Sequence, residues 1–131
     1  MKNSTIALIF AAIGISSCSD QHIYVFVSNE SSADSVVQLE VYLNKEKKLH
    51  QAFRYTNVIP DYDEFKFSVP RTSDSIVLDI TSNTGVVKSN IRVPRNQKYI
   101  FVAYSYKAFG DSVIKPRDVI IASYKRMPQL E

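Results

Sequence analysis

The amino-acid sequence predicts an all-β fold, a two-layer antiparallel β-sandwich of about seven or eight strands after an N-terminal signal peptide. Three observations predict it. Apolar and polar residues alternate with a period of two along most of the chain after residue 22. Turn residues interrupt this alternation roughly every 8 to 12 positions, and the 3.6-residue period of an amphipathic helix is almost absent.

Eight segments carry the alternation, and residues 36–43 show it most clearly. There Val37, Leu39 and Leu43 fall on one side and Gln38 and Glu40 on the other, as expected for a sheet with one face in the core. The predicted strands are residues 22–28, 36–43, 49–56, 64–69, 76–81, 86–93, 98–106 and 118–124.

Short polar segments connect these strands. Residues 29–34 are a polar turn, and residues 44–48 form a charged hairpin loop. Pro60 makes a strand through residues 57–61 unfavourable because proline cannot donate to a strand ladder. Residues 82–85, Ser-Asn-Thr-Gly, are typical of a tight hairpin turn. Residues 107–117 are the longest predicted loop.

The first, seventh and eighth strands are apolar on both faces. If Ile23 and Val25 face the core, Tyr24 and Phe26 face outward, and the seventh strand offers Tyr104 and Tyr106 as further aromatic rings. An exposed aromatic surface of a few hundred Å² commonly marks a binding site. We therefore expect either that the loop 107–117 covers this face, or that Tyr24, Phe26, Tyr104 and Tyr106 bind a partner.

This arrangement of short strands and hairpin-length links is similar to sandwich domains of the immunoglobulin-like or transthyretin-like type, with a closed barrel as the main alternative. The chain has no tryptophan and one cysteine, so the Trp and disulfide of a true immunoglobulin domain are missing. Domain boundaries are predicted at residues 1–17 for the signal peptide, 18–22 for an anchor and short linker, 23–125 for the sandwich and 126–131 for a tail.

The first seventeen residues have the features of a secretory leader: Lys2, then a nearly unbroken apolar run to Ile15, then small residues. The run is too short to span a bilayer, which needs about 20 apolar residues. Ile15-Ser16-Ser17-Cys18 resembles the lipobox of bacterial lipoproteins. The resemblance implies lipidation of Cys18, cleavage after Ser17 and acylation of the new amino terminus. Ser19 in the following position resembles the version sorted to the outer membrane in many bacteria.

The single cysteine and the near-neutral charge argue against a disulfide-stabilised domain and against a nucleic-acid-binding protein. Cys18 is the only cysteine, so the exported domain has no internal disulfide and depends on burial for its stability. Lys2 is the only charged residue of the leader, so the net charge of +3 falls to +2 once the leader is removed. A chain this close to neutral gives no electrostatic reason to expect a nucleic-acid partner.

Motifs for catalysis are absent from the sequence. His22 and His50 have no metal ligand at a suitable spacing, and no Gly-x-Ser-x-Gly or phosphate-binding loop occurs. The best acidic cluster is Asp61, Asp63 and Glu64 at a loop-to-strand junction. Calcium takes six to eight oxygen ligands, so this cluster is a weak candidate and a solvated loop is the simpler interpretation. We expect no enzyme activity, no cofactor and no metal.

These observations predict a lipid-anchored, non-enzymatic protein of the bacterial cell envelope that binds or positions a protein partner. Its contacts would be membrane lipid through acylated Cys18, an envelope protein, and no nucleic acid. The alternative is a carbohydrate-binding lipoprotein in which surface tyrosines stack on sugars. Its candidate platforms are Tyr42, Tyr55, Tyr104 and Tyr106.

Overall fold

The computed structural model describes residues 20–58, 61–71 and 73–129. The predicted fold class is confirmed: eight strands form two four-stranded sheets packed face to face. Residues 1–17, predicted to be a signal peptide, and Cys18 lie outside the described residues. The strands are β1 (Asp20–Asn29), β2 (Val36–Leu43), β3 (Glu46–Arg54), β4 (Asp63–Pro70), β5 (Ser75–Ser82), β6 (Val87–Pro94), β7 (Tyr99–Phe109) and β8 (Ser112–Tyr124).

Sheet A has the strand order β4-β1-β7-β8, and sheet B has the order β3-β2-β5-β6. All neighbouring pairs are antiparallel except β1 and β7, which run parallel with Tyr24 opposite Tyr99. In an immunoglobulin constant domain the first strand pairs with the second. Here β1 lies between β4 and β7, in the other sheet from β2, so the strand order differs from that of an immunoglobulin domain.

The core lies between the two sheets and is built from the alternating residues of nearly every strand. The largest fully buried side chains are those of Tyr104, Phe53, Ile23, Leu39, Leu43, Ile76, Leu78, Ile80 and Ile100. Burial of a single such side chain contributes about 1.5 to 3 kcal/mol. This continuous apolar layer holds the sheets together without a disulfide.

The β2–β3 hairpin turns on two residues, Asn44 and Lys45, which both have positive φ (52° and 68°). Such a turn matches the right-handed twist of the strands it joins. Asn44 fixes the turn against β5, because its Oδ1 accepts from the Val77 N–H at 3.0 Å and its own N–H donates to the Val77 carbonyl at 2.8 Å. The predicted five-residue loop at 44–48 was therefore too long, since β3 already begins at Glu46.

Two other predicted segments also differ. β1 begins at Asp20, so residues 20–22, assigned to the linker, belong to sheet A. Residues 107–117 form no loop: β7 runs to Phe109, the chain turns at Gly110 with φ of 59°, and β8 starts at Ser112. The prediction failed because two β-bulges in β8 disturb the alternation on which it relied.

Candidate functional site

The outer side of sheet A carries six aromatic rings, which we call the aromatic face. Two pairs stack across β1 and β7: Tyr24 on Tyr99 with ring centroids 5.3 Å apart, and Phe26 on Phe101 at 4.6 Å. Both pairs follow from the parallel register, which sets Tyr24 opposite Tyr99 and Phe26 opposite Phe101. The remaining members are Tyr62 and Tyr124.

The aromatic face covers its own centre. Tyr62 and Tyr124 both meet the ring of Phe101 edge-on, at 5.2 and 5.7 Å. As a result Phe101 is only 6% exposed and Phe26 only 5% exposed, although both point away from the core. Because Tyr62 is partly buried and lies near Glu30, its pKa is raised above the usual tyrosine value. The cover we expected from residues 107–117 is thus supplied by two tyrosines.

Half of the predicted binding face is on this surface and half is not. Tyr24 and Phe26 face outward as predicted. Tyr104 belongs to the core and is fully buried, and Tyr106 packs against the core at one end of the sandwich, so the grouping of these two with Tyr24 and Phe26 was wrong. The residues of β7 that share the outer face with Tyr24 and Phe26 are Tyr99 and Phe101. Tyr104 and Tyr106 lie on the opposite face of that strand.

Tyr104 has a structural role in a polar network at that end. Its hydroxyl donates to Asp34 Oδ2 at 2.5 Å and lies 2.9 Å from Thr84 Oγ1. Arg117 from β8 binds the same carboxylate through Nε at 2.8 Å and Nη2 at 3.2 Å, and its guanidinium lies 4.0 Å from the centroid of the Tyr106 ring.

The network shifts three pKa values. The hydrogen bond from Arg117 lowers the pKa of Asp34, and the hydrogen bond from Tyr104 acts in the same direction. Burial and the bond to Asp34 raise the pKa of Tyr104, and the bond to Asp34 raises that of Arg117. All members therefore keep one charge state near neutral pH, which suits a brace between the β1–β2 connection and the β7–β8 hairpin rather than acid–base chemistry.

The β7–β8 hairpin extends past the end of β1, which pairs with β7 only as far as Asn29 opposite Tyr104. Near its tip Phe109 is 80% exposed, and Val113 and Ile114 are each 59% exposed. Behind the tip Lys107 lies directly opposite Lys115, and neither lysine forms an ion pair with any of the described residues. Like charges in this position are unfavourable in isolation.

The acidic cluster does not assemble into a site. Asp61, Asp63 and Glu64 are all exposed, and Asp61 accepts a hydrogen bond from the Thr56 hydroxyl. Within residues 20–58, 61–71 and 73–129 no group of three or more His, Cys, Asp or Glu could hold a metal ion. His50 is exposed with Nδ1 3.8 Å from Glu40, and His22 is exposed.

Two concave regions lie at the sides of the sandwich. A cleft of about 470 Å³ is bounded by the end of β1 and the β3–β4 connection, with Tyr55, Asp61 and Tyr62 among its walls. The other region is a gap of about 300 Å³ between the edges of β6 and β8. Tyr42, the remaining candidate sugar platform, is half-buried on sheet B and donates to Glu40 at 3.4 Å.

Comparisons with protein-family models, with curated proteins and with solved structures found no match. Among the described residues no helix is long and apolar enough to cross a membrane. The fold and the surfaces described above are therefore the basis of any functional proposal.

Proposed function

We propose that this chain is a lipid-anchored, non-enzymatic protein of the bacterial cell envelope that binds or positions a protein partner. The anchor would be acylated Cys18, and Ser19 beside it favours the outer membrane. The observation that carries the proposal is the distribution of exposed apolar side chains. Of the large exposed ones, five lie on a single hairpin: Phe109, Val113, Ile114, Ile120 and Tyr124.

The placement of this hairpin relative to Cys18 supports the proposal. Consecutive Cα atoms are about 3.8 Å apart, so Cys18 is within about 8 Å of Asp20, where β1 begins. β7 runs parallel to β1, and the tip at Phe109 is therefore about 45 Å along the sheet from Asp20. A chain tethered at Cys18 would present the hairpin tip on the side away from its own membrane.

The exposed tip is suited to protein recognition. Aromatic and aliphatic side chains supply the anchors of protein interfaces, and groups of them that remain exposed often mark such a surface. The Asp34–Arg117 ion pair, at 2.8 Å, connects the base of the hairpin to the β1–β2 connection. An apolar tip with two unneutralised lysines behind it suits a partner with a hydrophobic pocket rimmed by carboxylates.

The glycan alternative is less well supported by the geometry of the rings. A sugar stacks on an open ring face, but the faces of Tyr24, Phe26, Tyr99 and Phe101 are turned toward one another across β1 and β7. The lysine Nζ of Lys66 lies 6.0 Å from the Tyr24 centroid, and that of Lys98 lies 5.6 Å from the Tyr99 centroid. The stacked faces are therefore not open to a sugar, and Phe26 and Phe101 are only 5% and 6% exposed.

Two measurements in the native host test the proposal. Cys18→Ser should release the protein from the membrane fraction, and the wild type should carry the mass of an acylated amino terminus. A photo-reactive phenylalanine analogue at position 109 should give one discrete adduct in intact envelopes, whereas the same analogue at Gln38, on the outer side of sheet B, should give none. Membrane retention of Cys18→Ser would contradict the anchor, and equal adducts at both positions would contradict a specific partner.

A further inference from the structure

The four strands at the sheet edges are not equally protected. Edge strands expose unpaired backbone groups, and natural proteins guard them with charges, prolines and bulges. β3 carries Lys47 and Lys48, and β4 carries Lys66 and ends at Pro70. β6 contains charged residues and a bulge near Asn90, whose φ is 56°.

β8 is guarded only in its first half. Residues 112–118 include Lys115, Pro116 and Arg117 and contain both bulges. Residues 119–124, Val-Ile-Ile-Ala-Ser-Tyr, contain no charge, no proline and no glycine. They pair with β7 in an unbroken register from Tyr104 opposite Val119 to Tyr99 opposite Tyr124. A regular and apolar edge of six residues is therefore left open.

The hydrogen-bond pattern shows which backbone groups point outward. The carbonyl of Tyr104 accepts from the Glu30 N–H at 2.8 Å, so the backbone of Tyr104 faces β1 and not β8. The backbone N–H and C=O of Val119, opposite Tyr104, therefore point toward the free edge, although its side chain lies in the core. The Val119 N–H donates to the side chain of its neighbour Asp118 at 2.8 Å. Because the direction alternates along a strand, Ile121 and Ser123 also face the free edge.

Beside this open edge lies the gap of about 300 Å³ between β6 and β8. Its lining is mixed: Ile91, Val93, Val119 and Ile121 supply the apolar part, and Lys88, Arg92 and Ser123 supply the polar part. The ion pair between Lys88 and Asp118, at 2.9 Å, bridges β6 and β8. Arg92 forms no ion pair with any described residue; its nearest polar contact is Ser75 Oγ at 3.5 Å.

We infer that residues 119–124 of β8 accept an extended segment of the partner protein as an additional strand of sheet A. This inference rests on the proposed function, since it specifies how a protein partner binds. In strand addition, main-chain hydrogen bonds supply affinity and alternate side chains enter pockets that supply specificity. Here the backbone groups of Ile121 and Ser123 would pair with the segment, and its alternate side chains would fill the gap.

The lining of the gap defines the chemistry of the segment. Its inward residues are apolar, to match Ile91 and Val93, and it carries an acidic residue where it passes Arg92. The segment is short, because the open edge comprises only residues 119–124. Proline is excluded at positions whose N–H must pair with β8.

A strand fused to the full chain tests this inference without the natural partner. The chain is extended beyond Glu131 by a flexible Gly/Ser linker and the segment Val-Thr-Glu-Thr-Val-Thr-Val, which can fold back antiparallel to β8 and which places its glutamate on the same face as its valines. A short flexible linker gives an effective concentration in the millimolar range, so a weak interaction is still detected. The matched control replaces the second and third valines of the segment with proline.

We expect amide hydrogen exchange of Ile121 and Ser123 to slow at least about tenfold in the valine fusion, and its melting temperature to rise, with neither change in the proline control. Replacing the glutamate of the segment by lysine should reduce the effect, because it then meets Arg92. Unchanged exchange in the valine fusion would overturn the inference. So would sedimentation showing that the unfused protein is a dimer with Ile121 and Ser123 already protected, since a second copy would then occupy the edge. Either result leaves the fractionation and photo-cross-linking tests of the proposed function unaffected.

Discussion

The outward side chains of the two sheets interact in different ways: those of sheet B form ion pairs and hydrogen bonds, and those of sheet A pack as aromatic rings. On sheet B the outward side chains neutralise one another: Glu40 accepts from Lys47 at 2.9 Å and from Thr81 at 3.0 Å, and Asp79 pairs with Lys45 at 3.1 Å. On sheet A the outward positions hold the aromatic face, in which Phe26 and Phe101 are buried by other rings. The outer face of sheet B is therefore a polar surface in contact with solvent. Sheet A instead carries a second, small apolar layer outside the main core.

This difference indicates where stability and binding reside. Exposed ion pairs contribute little to stability, typically between 0 and about 1 kcal/mol. The aromatic face contributes through burial, and its margin continues into the exposed side chains of β8 and the hairpin tip.

Phe101→Ala should lower the free energy of unfolding by about 3 to 4 kcal/mol, because it empties the centre of the aromatic face and leaves Tyr62 and Tyr124 without a packing partner. Thr81→Ala, at an outward position of sheet B, should cost only about 1 kcal/mol through its lost hydrogen bond. Urea denaturation of both variants measures the contrast. Equal losses would show that the ring cluster is a surface feature and not a second layer.

Tyr104→Phe should lower the free energy of unfolding by about 1 to 2 kcal/mol, because Asp34 and Thr84 lose the hydroxyl that lies between them. Tyr62→Phe is the matched control, since the Tyr62 hydroxyl has no hydrogen-bond partner among the described residues. It should change stability by less than about 0.5 kcal/mol. A larger loss in the control would reverse the assignment of buried and outward tyrosines.

The placement of the tyrosines of β7 shows how much of the fold could be predicted from the sequence. The alternation in β2 and β5 predicted their strands and faces well, because one side of each is apolar and the other polar. β1 and β7 are apolar on both sides, so periodicity could not decide which tyrosines of β7 join Tyr24. That choice is fixed by the register of a parallel pair between strands distant in the chain, and no local pattern encodes it.

The hairpin shows a second limit of sequence interpretation. Residues 107–117 were predicted as the longest loop, carrying Phe109, Gly110, Val113 and Ile114. In the structure Pro116 sits beside one of the two bulges of the edge strand β8, where its missing N–H costs no ladder bond. A bulge adds one residue and reverses the inward and outward positions after it, so a continuous strand gives a broken pattern.

Acid should act on sheet B more than on the aromatic face. The pKa of Asp79 is lowered by the Asn90 N–H and then by Lys45, and that of Glu40 is lowered by Lys47 and then by Thr81. When a folded-state pKa lies below the unfolded value, the group stabilises the fold above the unfolded value, and this stability is lost as the pH falls through the folded value. The wild type should therefore lose stability below about pH 4.

Asp79→Asn should lose less stability than the wild type as the pH falls, because the variant lacks the stabilising contribution of the Asp79 carboxylate at every pH. The measurement is the urea midpoint at intervals between pH 2.5 and 7, with Glu64→Gln as the control because Glu64 makes no ion pair with any described residue. Some loss should remain in Asp79→Asn, since Asp34 and Asp118 also have lowered pKa values. A wild-type stability that is flat from pH 7 to 2.5 would contradict the role of these carboxylates.

The smallest expected change in stability is at the hairpin tip. Phe109→Ser removes a side chain that is 80% exposed and packs against almost nothing, so unfolding should change by less than about 0.5 kcal/mol. The same substitution should weaken partner cross-linking from a photo-reactive group at the neighbouring position 113. Phe109→Ser should therefore weaken binding without weakening the fold. Phe101→Ala, at an outward position of the same strand, should destabilise the fold while leaving the tip intact. If Phe109→Ser destabilised the protein as strongly as Phe101→Ala, the tip would have to be packed against this chain and could not be the surface offered to a partner.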